Sequence, residues 1–269
     1  MKKTYTLNVK TVFTIIFVYL ILEILLNILT RLFFGAPAPV EGKRVIDGVI
    51  GNSMLSNIII SILLIFATTM IFKSDTRDIY LEKAKFSLSK FYYLYPFIWF
   101  GIGLYALLTS DLSVYNLSTI LLVILATLSI AINEEILTRG MMIAALRKRG
   151  TAEWLVFIGS TLVFALLHLV NVLGGGSFTQ VLIVVFGVTL LYISMRVFNN
   201  LFVPILLHAF FDTGIYLQIG NFLENHNLPD QILDFNLASF LLMVLATIVF
   251  LIFGRNLLKK GVPAKELRL

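Results

Sequence analysis

No cysteine occurs among the 269 residues, so disulfides, thiol nucleophiles and cysteine metal ligands are excluded. Charge is scarce as well: Asp, Glu, Lys and Arg make up 13% of the chain against 59% apolar residues, with mean hydropathy +0.95. A soluble domain is nearer a quarter charged, so a water-soluble globule is excluded too. No basic run interleaves with aromatics, and the excess of Lys and Arg (21) over Asp and Glu (15) does not point to nucleic acid. The chain also lacks H-E-x-x-H, the helical zinc-protease signature. Gly174-Gly175-Gly176 precedes no strand and reads as an external turn rather than a phosphate loop. Tandem repeats and low-complexity tracts are missing.

Long apolar runs are present in their place. A helix crossing lipid needs about 20 mainly apolar residues. Runs and polar breaks predict eight helices near 11–30, 50–72, 88–110, 116–146, 153–173, 178–198, 201–220 and 236–258. The fold class expected is an all-α polytopic membrane protein, a bundle of about eight transmembrane helices forming one integral membrane domain over 1–269. The first run follows Lys2, Lys3 and Lys10 but is longer than a signal-peptide core, and Ala36-Pro37-Ala38-Pro39 follows it; it reads as a retained helix. Alternate loops carry the charge. Lys2, Lys3, Lys10, Lys73, Arg77, Lys83, Lys85, Lys90, Arg147, Lys148, Arg149, Arg196, Arg255, Lys259, Lys260, Lys265 and Arg268 fall on one side. Arg31, Lys43 and Arg44 fall on the other. The positive-inside rule therefore predicts both termini in the cytoplasm, in what reads as the plasma membrane. Tyr92, Tyr93, Tyr95, Trp99 and Trp154, at helix starts, read as interfacial anchors. Segment 73–87 reads as a mixed-charge loop or short amphipathic surface helix.

Function is expected where the sequence tolerates a cost. A charge at a helix centre costs about 2.5–3.5 kcal/mol on insertion scales. Glu23, Glu134, Glu135, Arg139, His168, His208 and Asp212 all lie within the expected spans. At 1.5 Å per residue, Glu134 lies about 20 Å in from Arg147 and His168 about 22 Å in from Glu153. His208 and Asp212 lie about 12 and 18 Å in from Asn200. Three helices thus place titratable groups in a band about 10 Å deep within a hydrocarbon slab about 30 Å thick. Glu135 and Arg139 are i,i+4 and read as a structural ion pair. Glu134 is rotated by about 100° from Glu135 and is free of that pair. His208 and Asp212 are also i,i+4, so the carboxylate can orient the imidazole. Phe164 shares a face with His168 and walls the ring. Glu23 reads as a packing or gating residue with no evident partner, and His226 as a solvated loop residue.

The stretch NEEILTRGMMIAALRKRG (133–150) resembles the first motif of the CPBP family, the CAAX-protease and bacteriocin-processing intramembrane endopeptidases (Abi family). GSTLVFALLHLVN (159–171) and VPILLHAFFD (203–212) are similar to its second and third motifs. Order and spacing agree over roughly 130–215, which would set the protease-like core at about 116–220. The resemblance implies peptide-bond hydrolysis within the bilayer. Glu134 would activate water, assisted by His168, and His208 with Asp212 would stabilise the oxyanion. Arg139 would lock the helix through Glu135. The substrate would be a peptide or membrane-protein segment, with bacteriocin maturation or immunity among the biological settings. Two departures stand out: Thr138 replaces the frequent aromatic before the arginine, and Asp212 replaces the Asn typical of the prenyl-processing branch. An ionised Asp cannot donate to an oxyanion. The resemblance leaves a metal-free glutamate mechanism and a zinc site made from Glu134, His168, His208 and Asp212 both open. Two rivals stand beside the protease reading. One is a non-catalytic immunity or scaffold protein that keeps the site. The other is a proton-coupled transporter, although duplicated or paired broken helices of the kind many transporters show are missing.

Overall fold

The computed structural model describes residues 6–34, 54–81, 90–173, 178–223, 230–254 and 258. The glycine turn at 174–176 and His226 lie outside them. The described residues are helical, without strands, around one apolar core. The long helices are α1 (Val9–Phe34), α2 (Met54–Ile71), α4 (Leu94–Leu108), α5 (Leu117–Lys148), α6 (Glu153–Leu173), α7 (Phe178–Phe198), α8 (Phe202–Leu223) and α9 (Asp230–Phe253). They fall on the eight expected segments, and the protein is an integral membrane protein. Among the described residues five stretches are long and apolar enough to cross a membrane: Val9–Thr30, Met54–Ile71, Lys90–Leu108, Leu117–Lys148 and Gln180–Phe198. Three shorter apolar stretches, Glu153–Leu169, Phe202–Gln218 and Leu237–Phe253, accompany them.

Within 73–87, the described part forms α3 (Thr76–Tyr80), which docks on protein rather than floating on a surface. Ile79 is fully buried, and Leu201 N–H donates to the Tyr80 carbonyl at 2.9 Å. The buried Asp75 just before α3 accepts from Leu7 N–H at 2.8 Å and from Lys148 Nζ at 2.6 Å. One carboxylate thus ties the start of α1 and the end of α5 to this connection.

Helix α5 is organised by its polar residues. Asn116 caps its start by accepting from Thr119 N–H at 2.8 Å. Gly150, with φ 79°, closes its end, where Gly150 and Thr151 N–H reach back to Arg147 and Leu146 carbonyls. Midway, the fully buried Asn133 donates to Asn57 Oδ1 at 2.9 Å and accepts from Ser61 at 2.7 Å, clamping α5 to α2. Helices α4 and α8 meet through glycine. A Cβ on Gly214 would lie 2.5 Å from the Gly103 carbonyl oxygen, and one on Gly103 would lie 2.9 Å from Phe211 Cα. Small residues permit this backbone approach, and in lipid such packing substitutes for a hydrophobic drive.

The aromatic anchors divide. Tyr93 and Trp154 are exposed, as interfacial residues should be. Tyr92, Tyr95 and Trp99 are buried, which corrects the anchor reading for those three. Tyr95 donates to the Ala246 carbonyl at 3.1 Å, Tyr92 to Phe253 at 3.3 Å, and Trp99 Nε1 to Leu207 at 3.0 Å. Positions 92, 95 and 99 form one helical face, and that face looks inward. Arg147 and Arg196, expected as loop charges, are likewise buried. Both pair with the fully buried Glu153, at 2.6 and 2.7 Å, and Tyr192 also donates to it. The ends of α5, α6 and α7 are held together by that carboxylate.

Candidate active site

The first motif does not run as a regular α-helix. Residues Ile136–Met142 form a wide π-turn within α5, a feature that often marks functional sites. Its hydrogen bonding is completed by side chains. Thr138 donates its hydroxyl to the Glu134 carbonyl at 2.6 Å and accepts from Arg139 Nη1 at 2.9 Å. Threonine at the departure position therefore fastens the turn to the arginine. Gly140 is required here by packing: a Cβ would lie 2.9 Å from Ile79 Cγ2 and 3.1 Å from Leu201 Cδ2.

The expected Glu135–Arg139 pair is present at 2.9 Å with both side chains buried. Glu135 does more than lock the helix. The same oxygen, Oε1, accepts from His208 Nδ1 at 3.0 Å. His208 Nε2 points the opposite way, 3.4 Å from Asp212 Oδ2 and 3.8 Å from Glu134 Oε2. The imidazole is therefore gripped on one side by Glu135 and faces two carboxylates on the other. A ring donating from both nitrogens suits this setting. Glu134 Oε2 has no hydrogen-bond partner among the described residues, and the same holds for Glu135 Oε2 and Arg139 Nη2. Glu134 is free of the ion pair, as its rotation on the helix implies.

His168 is oriented from behind: its Nδ1 donates to the Phe164 carbonyl at 3.1 Å, leaving Nε2 as an acceptor. The Phe164 ring stacks on His168 at 4.9 Å and lies 5.6 Å from His208. The Arg139 guanidinium carbon sits 4.0 Å from its centroid, so this wall also carries a cation. His168, His208, Glu135 and Asp212 are all within electrostatic reach of Glu134.

Three further residues join from outside the motifs. Glu23 on α1 is hydrogen-bonded by the buried Tyr19 and lies within electrostatic reach of Glu134, so it has the partner its sequence position did not reveal. Tyr216, one turn past Asp212, is in reach of both Asp212 and Glu134. Its place on the 208, 212, 216 stripe was the available signal. Trp99 holds the carbonyl of Leu207, next to His208, and stacks on Phe211 at 4.2 Å.

The donor set does not fit a metal. Among the described residues no group of three or more His, Asp or Glu is disposed to hold an ion.

No curated protein and no solved structure matches the chain. Residues 116–214 match the Rce1-like family, described as type II CAAX prenyl endopeptidase Rce1-like. The stretch spans somewhat over a third of the sequence and holds Glu134, Glu135, Arg139, His168, His208 and Asp212. Over that stretch the chain is similar to the Rce1-like family, a family of CAAX-type intramembrane proteases.

Proposed function

We propose that the protein is an intramembrane endopeptidase acting on a peptide or membrane-protein segment, with Glu134 as the general base. The observation that carries this reading is the His208 ring, held by Glu135 on one nitrogen and turned toward Glu134 and Asp212 on the other. Amide hydrolysis needs an activated water, a stabiliser for the oxyanion and an acid for the leaving amine. In this scheme the unpartnered Glu134 Oε2 takes a proton from water, and His168 Nε2 accepts that water's second hydrogen bond. The hydroxide adds to the scissile carbonyl. His208, held in donor form by Glu135 and Asp212, stabilises the oxyanion through Nε2–H. The proton on Glu134 passes to the leaving nitrogen, and the carbon–nitrogen bond breaks. Asp212 orients His208 and does not itself donate, a difference from an Asn at this position. No step runs through a metal.

The remaining basic loops support a topology with both termini in the cytoplasm, which sets Glu134 about two thirds of the way across the slab by helix rise. The test is mass spectrometry of the host's peptides and membrane proteins, comparing wild type with Glu134→Gln. Cleavage products present only with wild type support the proposal. An unchanged product pattern with a retained biological effect would instead identify a scaffold or immunity protein.

A further inference from the structure

Away from the candidate active site, an open cleft lies where α1 begins and α5 ends. Its volume is about 440 Å³, within the range of about 300–1,000 Å³ usual for small-molecule sites. The buried Leu7 and Ala145 line it, and its charged wall is Lys10 from α1 with Lys148 and Arg149 from the end of α5. No acidic residue lines it among the described residues. The carboxylate that reaches this wall, Asp75, is already committed: it accepts from Lys148 Nζ at 2.6 Å and from Leu7 N–H at 2.8 Å. The side chains of Lys10 and Arg149 are exposed and have no ion-pair partner among the described residues. Three cations against one carboxylate leave two positive charges unbalanced. The helix end does not supply that charge, because Asn8 caps it by accepting from Thr11 N–H at 3.0 Å.

The surface below the cleft says what would fill it. Lys10, Phe13, Phe17, Ile21, Ile24 and Ile28 recur every three or four residues, so they share one face of α1. All six are exposed, Phe13 by 51% and Phe17 by 65%. From Lys10 to Ile21 this face rises about 17 Å, close to one leaflet of a hydrocarbon slab about 30 Å thick. A basic cleft thus opens directly onto an apolar stripe. A molecule with an anionic head and an apolar tail matches both parts, whereas a soluble anion or an acidic peptide matches only the first.

We propose that this cleft binds the headgroup of an anionic phospholipid, with Lys10, Lys148 and Arg149 around the phosphate and an acyl chain along Phe13 and Phe17. Lys148 lies about 21 Å beyond Glu134 along α5, so the lipid site is separate from the candidate active site. In the topology proposed above it faces the cytoplasmic leaflet, whose anionic lipids attract basic groups beside a span. The bound headgroup joins the start of α1 to the end of α5, beside the link that Asp75 already makes between them.

The test titrates full-length protein in neutral detergent with dioleoyl phosphatidylglycerol, dioleoyl phosphatidylcholine or inorganic phosphate. Retained lipid is counted by native mass spectrometry, and thermal unfolding is followed in parallel. Wild type should retain one phosphatidylglycerol with an affinity at least about tenfold above phosphatidylcholine, since each basic side chain near an anionic lipid adds about fivefold. Its unfolding temperature should rise with phosphatidylglycerol alone, because the ligand binds only the folded state. Lys10→Gln with Arg149→Gln removes two exposed side chains that pair with nothing among the described residues, so the fold is kept, and the preference should fall to about twofold or less. Lys73→Gln with Lys90→Gln removes the same charge outside the cleft and should leave the preference intact. Equal retention of the two lipids by wild type, or a preference that survives in the cleft variant, overturns the proposal. So does a preference lost equally in both double variants, which is the attraction of any basic surface. Inorganic phosphate that raises the unfolding temperature as phosphatidylglycerol does marks a soluble-anion site and overturns the lipid assignment.

Discussion

Glu135 has two duties that one double-mutant cycle can separate. Its Oε1 serves Arg139 at 2.9 Å and His208 at 3.0 Å, and both its own side chain and the arginine's are almost wholly excluded from solvent. In Glu135→Gln the amide oxygen can still accept both hydrogen bonds, so shape and bonding survive while the charge is lost. Arg139 is then a buried cation without a counterion, and breaking a buried pair in this way costs about 3–5 kcal/mol. Native proteins are stable by about 5–15 kcal/mol, so the variant should unfold at clearly lower temperature or detergent load. Removing the cation as well, in Glu135→Gln with Arg139→Met, should recover most of that loss, because a neutral apolar stem still covers Phe164. Cleavage should not recover with stability. His208 has lost one of the two anions that favour its donor form, the one that grips Nδ1, and restoring the packing of α5 does nothing for it. The assay pairs thermal unfolding in one detergent with peptide-cleavage rates for wild type, both single variants and the double variant. If the double variant regains activity together with stability, Glu135 is only a helix lock. If Glu135→Gln changes neither quantity, the buried ion pair does not carry the energy assigned to it here.

Gly214→Ala should be destabilising by about 1–3 kcal/mol, because the new Cβ meets the Gly103 carbonyl oxygen at 2.5 Å and a helix must move. Since α8 carries His208 and Asp212, cleavage should fall by about a hundredfold for a displacement near 1 Å. Gly101→Ala, where nothing lies within 4 Å, should change neither unfolding nor rate. Asn133→Ala removes the buried hydrogen bonds that join Asn133 to Asn57 and Ser61 and should cost about 1–3 kcal/mol in thermal unfolding; an unaltered melt would show that the α2–α5 clamp is dispensable. Exhaustive chelation should leave peptide cleavage intact, with metal substoichiometric in the purified protein. A loss of activity restored by added zinc would sink the metal-free scheme.

Much of the architecture is legible in the chain because lipid imposes a single rule on every span. Apolar length located the long helices, and α1, α5 and α7 extend to within a few residues of their expected limits. Spacing alone also brought out Glu135 with Arg139, His208 with Asp212 and Phe164 with His168, since i,i+4 residues share a face whatever surrounds them. Contacts between distant segments left weaker traces. Glu153 binds Arg196 across 43 residues and Tyr192 across 39, and a count of loop charges assigns those same arginines to water. Asn133 looks unremarkable beside two glutamates until Asn57 and Ser61 are brought against it. Trp99 was readable in principle: 92, 95 and 99 line one helix face, and an interfacial belt has no reason to keep helical phase.

The joint role of Glu135 and Phe164 explains why the cluster tolerates so much charge away from water. Glu135 is the shared anion for Arg139 and His208. Phe164 is the shared plate, with Arg139 4.0 Å from its centroid and His168 stacked at 4.9 Å. An aromatic face is negative at its centre, so it attracts the guanidinium without adding a formal charge. Arg139 is thereby held from behind by both the carboxylate and the ring and His208 by the carboxylate, and the front of the cluster is left to Glu134 and Asp212. A leucine at 164 would keep the apolar wall and lose the attraction. A glutamine at 134 would keep every contact among the described side chains and remove the single carboxylate whose Oε2 faces His208 without a hydrogen bond. The arrangement therefore separates the residues that hold the cluster together from the one left free for the base role proposed above.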